Sequence, residues 1–201
     1  MNKALATALS YIIHPALIPM LGVALVLVLS PHFISKPIFL VVMLHVFLGT
    51  YLFPLLLALA LKRLGMLSSL SMADPAERRI PYIMAALFYF LTAHSLRDYP
   101  IPQATTGYLL AGVVILAVAL VLLSFTKLSI HTAGLGAFTA LTLFLSFYYG
   151  VDLLMIIALT IVLTGLTATA RLYLGAHTPF EVYLGYAVGL GSVGTVFWVM
   201  I

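Results

Sequence analysis

The chain has 201 residues, 64% of them hydrophobic and 7% charged, and its mean hydropathy is +1.23. A helix that crosses a bilayer takes roughly 20 apolar residues, so this composition excludes a soluble domain and leaves room for about six or seven crossings. The formal charge of +4 is too small and too dispersed for a nucleic-acid partner, and the absence of cysteine excludes disulfides, thiolate metal sites and cysteine nucleophiles.

In chain order, apolar runs at about Tyr11–Ser30, Pro37–Leu61, Pro81–Leu96, Gly107–Phe125, Thr132–Tyr149, Leu153–Ala170 and Val182–Ile201 read as seven spans, the third the shortest. Only helices satisfy their own backbone hydrogen bonds in lipid without closing into a barrel. The expected fold is therefore all-α, a polytopic helical bundle of six to seven spans forming one integral-membrane domain over residues 1–201. The opening Met1-Asn2-Lys3 before an apolar stretch resembles a secretion signal, but no small-residue cleavage pattern ends it, so it is read as an uncleaved first span. The connections are short apart from Lys62–Ile80.

Counting crossings divides the connections between two faces. One carries Lys3, Lys62, Arg63, Arg78, Arg79, Lys127 and Arg171, the other Lys36 and Arg97. The excess of cations points the first face to the cytoplasm. Chemistry-bearing side chains gather on that same face, in three stretches.

The first is Asp74-Pro75-Ala76-Glu77-Arg78-Arg79-Ile80-Pro81. Asp74, Pro75 and Glu77 form a capping signature for a short helix, and the two arginines suit anionic headgroups or a phosphate. The second is Lys127-Leu128-Ser129-Ile130-His131, where Ser129 is placed to cap the following helix. The third runs Ala170-Arg171-Leu172-Tyr173-Leu174-Gly175-Ala176-His177-Thr178-Pro179-Phe180-Glu181. Thr178, Pro179 and Glu181 spell a capping box, which by itself gives Glu181 a purely structural task. The same geometry puts His177 just before a helix N-terminus, whose N–H groups and dipole favour a phosphate, with Glu181 in reach of the ring. Two imidazoles and several cations on one face suit binding and cleavage of a phosphate ester, one His attacking phosphorus and the other protonating the departing oxygen.

These residues resemble the type 2 phosphatidic acid phosphatase superfamily, in its membrane lipid phosphatase branch. That family's third motif is Ser-Arg, then His after five residues and Asp after three more; Arg171, His177 and Glu181 keep the spacing, with Ala170 for Ser and Glu for Asp. Its second motif, Pro-Ser-Gly-His, corresponds to Leu128-Ser129-Ile130-His131. Its first, Lys followed by Arg-Pro, has its nearest counterpart in Arg79-Ile80-Pro81, with Met72 at the Lys position. The resemblance covers about residues 72–201.

The resemblance implies a metal-independent phosphatase without cofactor, acting on a lipid phosphate or diphosphate such as phosphatidic acid, phosphatidylglycerol phosphate or a polyprenyl diphosphate. His177 would be the nucleophile that forms a phosphohistidine, Glu181 its orienting partner, and His131 the acid and then the base. Arg171, Arg79 and Arg78 would hold phosphate oxygens, Ser129 would donate to them, and Lys127 would supply the missing first-motif cation. It also implies membrane lipids as partners and the inner membrane of a prokaryotic cell as location, often with the site outside, against the cation count. Two rivals predict otherwise: a lipid-phosphate binder or flippase without turnover, and an assembly protein whose Arg171, His177 and Glu181 do not converge. His14, His32, His45 and His94 are read as background, Arg97, Asp98 and Asp152 as helix ends, and Gly185 and Gly189 as a close helix contact.

Overall fold

The computed structural model describes residues 1–70, 72 and 74–201. The protein is an all-α polytopic bundle of helices α1 (Lys3–Ile12), α2 (Ile18–Leu29), α3 (Lys36–Phe47), α4 (Phe53–Arg63), α5 (Arg79–Leu96), α6 (Gln103–Leu122), α7 (Ile130–Tyr149), α8 (Leu154–Tyr173) and α9 (Pro179–Met200), and no strand occurs among the described residues. Six rods are long and apolar enough to cross a membrane: Lys3–Leu29, Lys36–Arg63 and α6 to α9. The third expected run, Pro81–Leu96, is α5. It is fully helical, but Arg79, Thr92, His94 and Ser95 dilute its apolar character, and it is not among the six.

Proline shapes the first two rods. His14 is held extended at ψ 131° by Pro15, the conformation that proline imposes on the residue before it, and the 3₁₀ turn Pro15–Leu17 separates α1 from α2. The expected unbroken span from Tyr11 is thus two helices, and α1 packs along α8. The second rod widens into a π turn at Leu48–Leu52, just before Pro54. Proline lacks the N–H of a regular helix and its ring crowds the preceding turn, so one wider turn lets the rod continue.

The tightest pairing is α7 against α9. A Cβ on Gly185 would stand 2.6 Å from the Ser129 carbonyl oxygen, one on Gly189 would overlap the Ala133 carbonyl oxygen, and one on Gly136 would overlap that of Tyr186. In lipid, little hydrophobic force draws helices together, so packing of this kind is the main source of association. Farther from the site Leu141, Leu145, Val193 and Phe197 complete the contact, with the Phe144 and Phe197 rings edge to face at 4.4 Å. Leu154, Met155, Leu159 and Val162 of α8 point outward, as lipid-facing side chains do.

Candidate functional site

The anchor of the site is Glu181, in the first turn of α9. Thr178 caps that turn, and the capping box expected there forms: Thr178 Oγ1 accepts from Glu181 N at 3.3 Å, and Glu181 Oε2 accepts from Thr178 N at 2.9 Å. Oε2 also accepts from His177 Nδ1 at 3.2 Å, while Oε1 accepts from Lys127 N at 3.1 Å and faces Thr126 Oγ1 at 3.5 Å. The capping box and the contact with the His177 ring therefore coexist on one carboxylate. Folding back to cap the helix is what brings the longer Glu side chain onto the ring.

These bonds fix the tautomer of His177. Nδ1 lies 3.1 Å from the Lys127 carbonyl oxygen and 3.2 Å from Glu181 Oε2, two groups that only accept, so Nδ1 carries the proton. Nε2 is left with its lone pair. The side chains of His177 and Glu181 are 4% and 8% exposed, so the pair is shielded from bulk water. Burial holds the His177 pKa below the usual imidazole value; the positive charge of Arg171 lowers it further, Glu181 opposes this, and Arg78 adds to the lowering. The free Nε2 is thus a neutral, nucleophilic nitrogen at neutral pH.

His131 enters from the first turn of α7. Its Nε2 donates to the Ser10 carbonyl oxygen at 3.2 Å, which leaves Nδ1 without a proton in the neutral ring. Arg171, in the last turn of α8, reaches the same residue, Nη1 to Ser10 Oγ at 3.4 Å. Its Nε is buried without a partner, and no carboxylate lies within ion-pair distance of it among the described residues. Ser10 therefore ties His131 and Arg171 together from α1. His14, at the break after α1, sets its ring edge-on to His131 with centroids 5.9 Å apart, and its Nδ1 accepts from Ala16 N at 3.3 Å.

Several expected residues take different places. Arg78 is half-buried, bonds Nε to the Met72 carbonyl oxygen at 2.8 Å, lies beside Tyr82 and is near enough to act on His177; Arg79, preferred on motif grounds, is exposed. The reason is local: Asp74 caps the 3₁₀ turn Pro75–Arg78, its Oδ1 accepting from Ala76 N at 2.9 Å, and this turn directs Arg78 inward. Lys127 holds the site through its backbone N–H and C=O, and its ammonium makes no hydrogen bond or ion pair among the described residues. Ser129 lies at the α7 N-cap without a side-chain capping bond. Its N–H donates to the Glu181 carbonyl at 3.2 Å and its fully buried hydroxyl has no partner, where an open donor to phosphate was expected.

Ser10 and His14 were missed. A histidine before proline inside an apolar run, where the helix has to break, is the signal that marks His14. Asp152 and Arg97 lie at helix ends, as expected. Asp152 Oδ1 accepts from Leu154 N at 2.9 Å at the start of α8, and Arg97 pairs with Asp98 at 3.4 Å on the surface.

A cavity of about 260 Å³ adjoins this cluster, between the Pro15–Leu17 turn, α4, α5, α6 and α7. His14, Met72 and Tyr82 are among the residues that line it, together with apolar side chains such as Pro19, Ala85, Leu116 and Ala137. From Pro81 to Tyr89 its α5 wall extends eight residues, about 12 Å along a helix. No family model, curated protein or solved structure matches the chain.

Proposed function

We propose that this integral-membrane protein is a phosphatase that removes a terminal phosphate from a lipid phosphate or diphosphate. The observation that carries the proposal is Arg171: a guanidinium near enough to act on three imidazoles, without a carboxylate partner among the described residues and with a buried Nε that makes no hydrogen bond there. The one carboxylate of the cluster is already engaged by His177, Thr178 and Lys127. Such a site has donors and positive charge in excess, and an anion with several acceptor oxygens completes it.

In the proposed reaction, His177 Nε2 attacks phosphorus and the bond to the lipid oxygen breaks. Glu181 and the Lys127 carbonyl hold the proton on Nδ1 as positive charge develops on the ring. His131 in its charged form keeps Nε2–H on Ser10 and passes its Nδ1 proton to the departing oxygen. The neutral ring then takes a proton from water, which attacks the phosphohistidine and releases inorganic phosphate and free His177. Arg171 and Arg78 bind the phosphate oxygens, Lys127 adds a third cation near them, and the chain of the lipid occupies the apolar cavity. No metal or cofactor takes part.

The test is phosphate release by purified protein in detergent from a panel of lipid phosphates. His177→Ala abolishes turnover and His131→Ala slows it by about 10²–10⁴; equal rates in all three proteins would end the proposal. One observation favours a second reading, a lipid-phosphate binder or flippase: the Ser129 N–H, one of the two donors expected for the phosphate, is engaged by the Glu181 carbonyl. Lipid-phosphate binding without turnover, lost in Arg171→Gln, is what that reading predicts.

A further inference from the structure

His14 caps the Pro15–Leu17 turn with one ring nitrogen and leaves the other unused. Its Nδ1 accepts from Ala16 N at 3.3 Å, so the neutral ring carries its proton on Nε2. That outer N–H makes no hydrogen bond among the described residues. Capping alone asks only for an acceptor close to the backbone, which Asn, Asp or Ser supplies with fewer atoms. What the imidazole adds is a donor farther out on the same side chain.

The position of the ring gives that donor a task. It lies edge-on to His131 with centroids 5.9 Å apart, and Arg171 is near enough to act on it. Of the three imidazoles it is the one that also lines the cavity. In the proposed reaction the phosphoryl group is held at His177 and Arg171 while the chain lies in the cavity, so the oxygen that joins them lies between. His131 delivers a proton to that oxygen, and His14 is the neighbouring imidazole that belongs to cluster and cavity alike. A neutral N–H suits an oxygen that gains negative charge as its bond to phosphorus lengthens.

We infer that His14 is a further catalytic residue, whose Nε2–H donates to the oxygen that leaves with the lipid. This rests on the phosphatase reading, which supplies the departing oxygen. As the phosphorus–oxygen bond breaks, its electron pair passes to that oxygen. The proton that the oxygen takes up comes from His131 Nδ1, and His14 keeps its own throughout.

Three substitutions separate the parts of the side chain. His14→Asn keeps an acceptor at the position of Nδ1 and with it the cap; His14→Phe keeps a ring against His131; His14→Gln keeps only a donor at about the position of Nε2. Phosphate release is compared on dodecyl phosphate, whose alkoxide leaves poorly, and on 4-nitrophenyl phosphate, whose phenolate needs little help. On dodecyl phosphate His14→Asn and His14→Phe lower kcat about ten- to a hundredfold, somewhat less than loss of a full oxyanion donor because His131 shares the charge, and His14→Gln stays within about fivefold of wild type. On the nitrophenyl ester all three stay within about fivefold. Wild-type rates for His14→Asn or His14→Phe on dodecyl phosphate, a His14→Gln variant as slow as His14→Asn, or equal losses on the two esters overturn the inference.

A second measurement needs no turnover. In His177→Ala protein, affinity for dodecyl phosphate is compared with that for tridecylphosphonate, which has a methylene in place of the bridging oxygen. Adding His14→Phe lowers the preference for the phosphate about two- to tenfold, the net worth of one hydrogen bond; an unchanged preference overturns the inference. Wild-type turnover with no effect of His14 fails this inference alone. A protein that shows the His14-dependent oxygen preference but releases phosphate from no ester fails the phosphatase reading and keeps the contact between His14 and the ester oxygen.

Discussion

The two sides of the bundle are packed by different means. Where α7 meets α9, glycines let backbone touch backbone, and the two helices bring His131 and His177 to one end with almost no side chain between them. On the other side α2, α5 and α6 meet through aromatic rings laid over Gly22 and Gly112, the rods are interrupted at Pro15 and before Pro54, and a cavity remains. Chemistry that depends on the placement of a ring to within about an ångström belongs on the first kind of contact. A flexible chain needs the second kind.

The largest effect comes from breaking the first side at its polar end. Glu181→Gln keeps the size, but Oε2 accepts from both Thr178 N and His177 Nδ1 and Oε1 from Lys127 N, so the amide NH2 meets a donor in either place. On the His177 side it gives up the bond to Thr178 N and favours the tautomer with the proton on Nε2. The nucleophilic lone pair is then lost. Phosphate release falls at least about 10²-fold with helicity unchanged by circular dichroism; an unaltered rate would show that the Lys127 carbonyl alone sets the tautomer. Arg171 and Lys127 sharpen the same side. Lys127→Ala keeps both backbone contacts and weakens inorganic phosphate or vanadate binding about threefold to tenfold if its ammonium faces the anion. An unchanged affinity removes it from the site.

Three glycine-to-alanine substitutions compare the two packings directly. In Gly189→Ala the new methyl overlaps the Ala133 carbonyl and stands 2.7 Å from Ala137 N, so only separation of α7 and α9 relieves it. A loss of about 1–3 kcal/mol is expected, with activity falling as the histidines move apart. In Gly112→Ala the neighbour is the Tyr89 ring, which can swing into the cavity, so the loss is about 1 kcal/mol or less. Gly194, two turns or less from Gly189 on the same helix, has nothing within 4 Å of its Cβ position, and Gly194→Ala changes stability by about 0.5 kcal/mol at most. Thermal unfolding in one detergent ranks the three, and any other order contradicts the packing contrast.

How much of this could be read beforehand follows the same division. The spans were legible because apolar runs long enough to cross a bilayer have few alternatives, and the capping box at Thr178 and the close contact at Gly185 and Gly189 were legible because both are local patterns. Convergence of Arg171, His177 and His131 was legible from the crossing count, which put all three on one face, and from the resemblance in spacing, but neither gives their distances. The choice of Arg78 over Arg79 was not, since it depends on a 3₁₀ turn set by Asp74, one residue's rotation from the alternative. Ser10 and His14 come from a helix far away in sequence, and the pattern that brings them in is a proline break whose consequence is tertiary.

The smallest effect is a shift along the pH axis. The neutral ring of His177 is the reactive form, and its pKa lies below the ordinary imidazole value of about 6.5, first because of burial and then because of Arg171. The acid limb of kcat/KM attributable to the free enzyme's His177 therefore falls below that value. Stability carries the same sign: between the folded pKa and about 6.5 the unfolded chain binds the proton more readily, so lowering the pH through this window destabilises the fold, and the loss levels off below the folded pKa. Arg171→Gln removes one depressing charge and leaves burial and Arg78 in place. The acid limb then moves upward, toward but short of the unperturbed value, while KM rises from loss of a phosphate ligand. A limb that stays fixed while KM rises would mean that Arg171 acts only on the substrate and is too well screened to act on the ring.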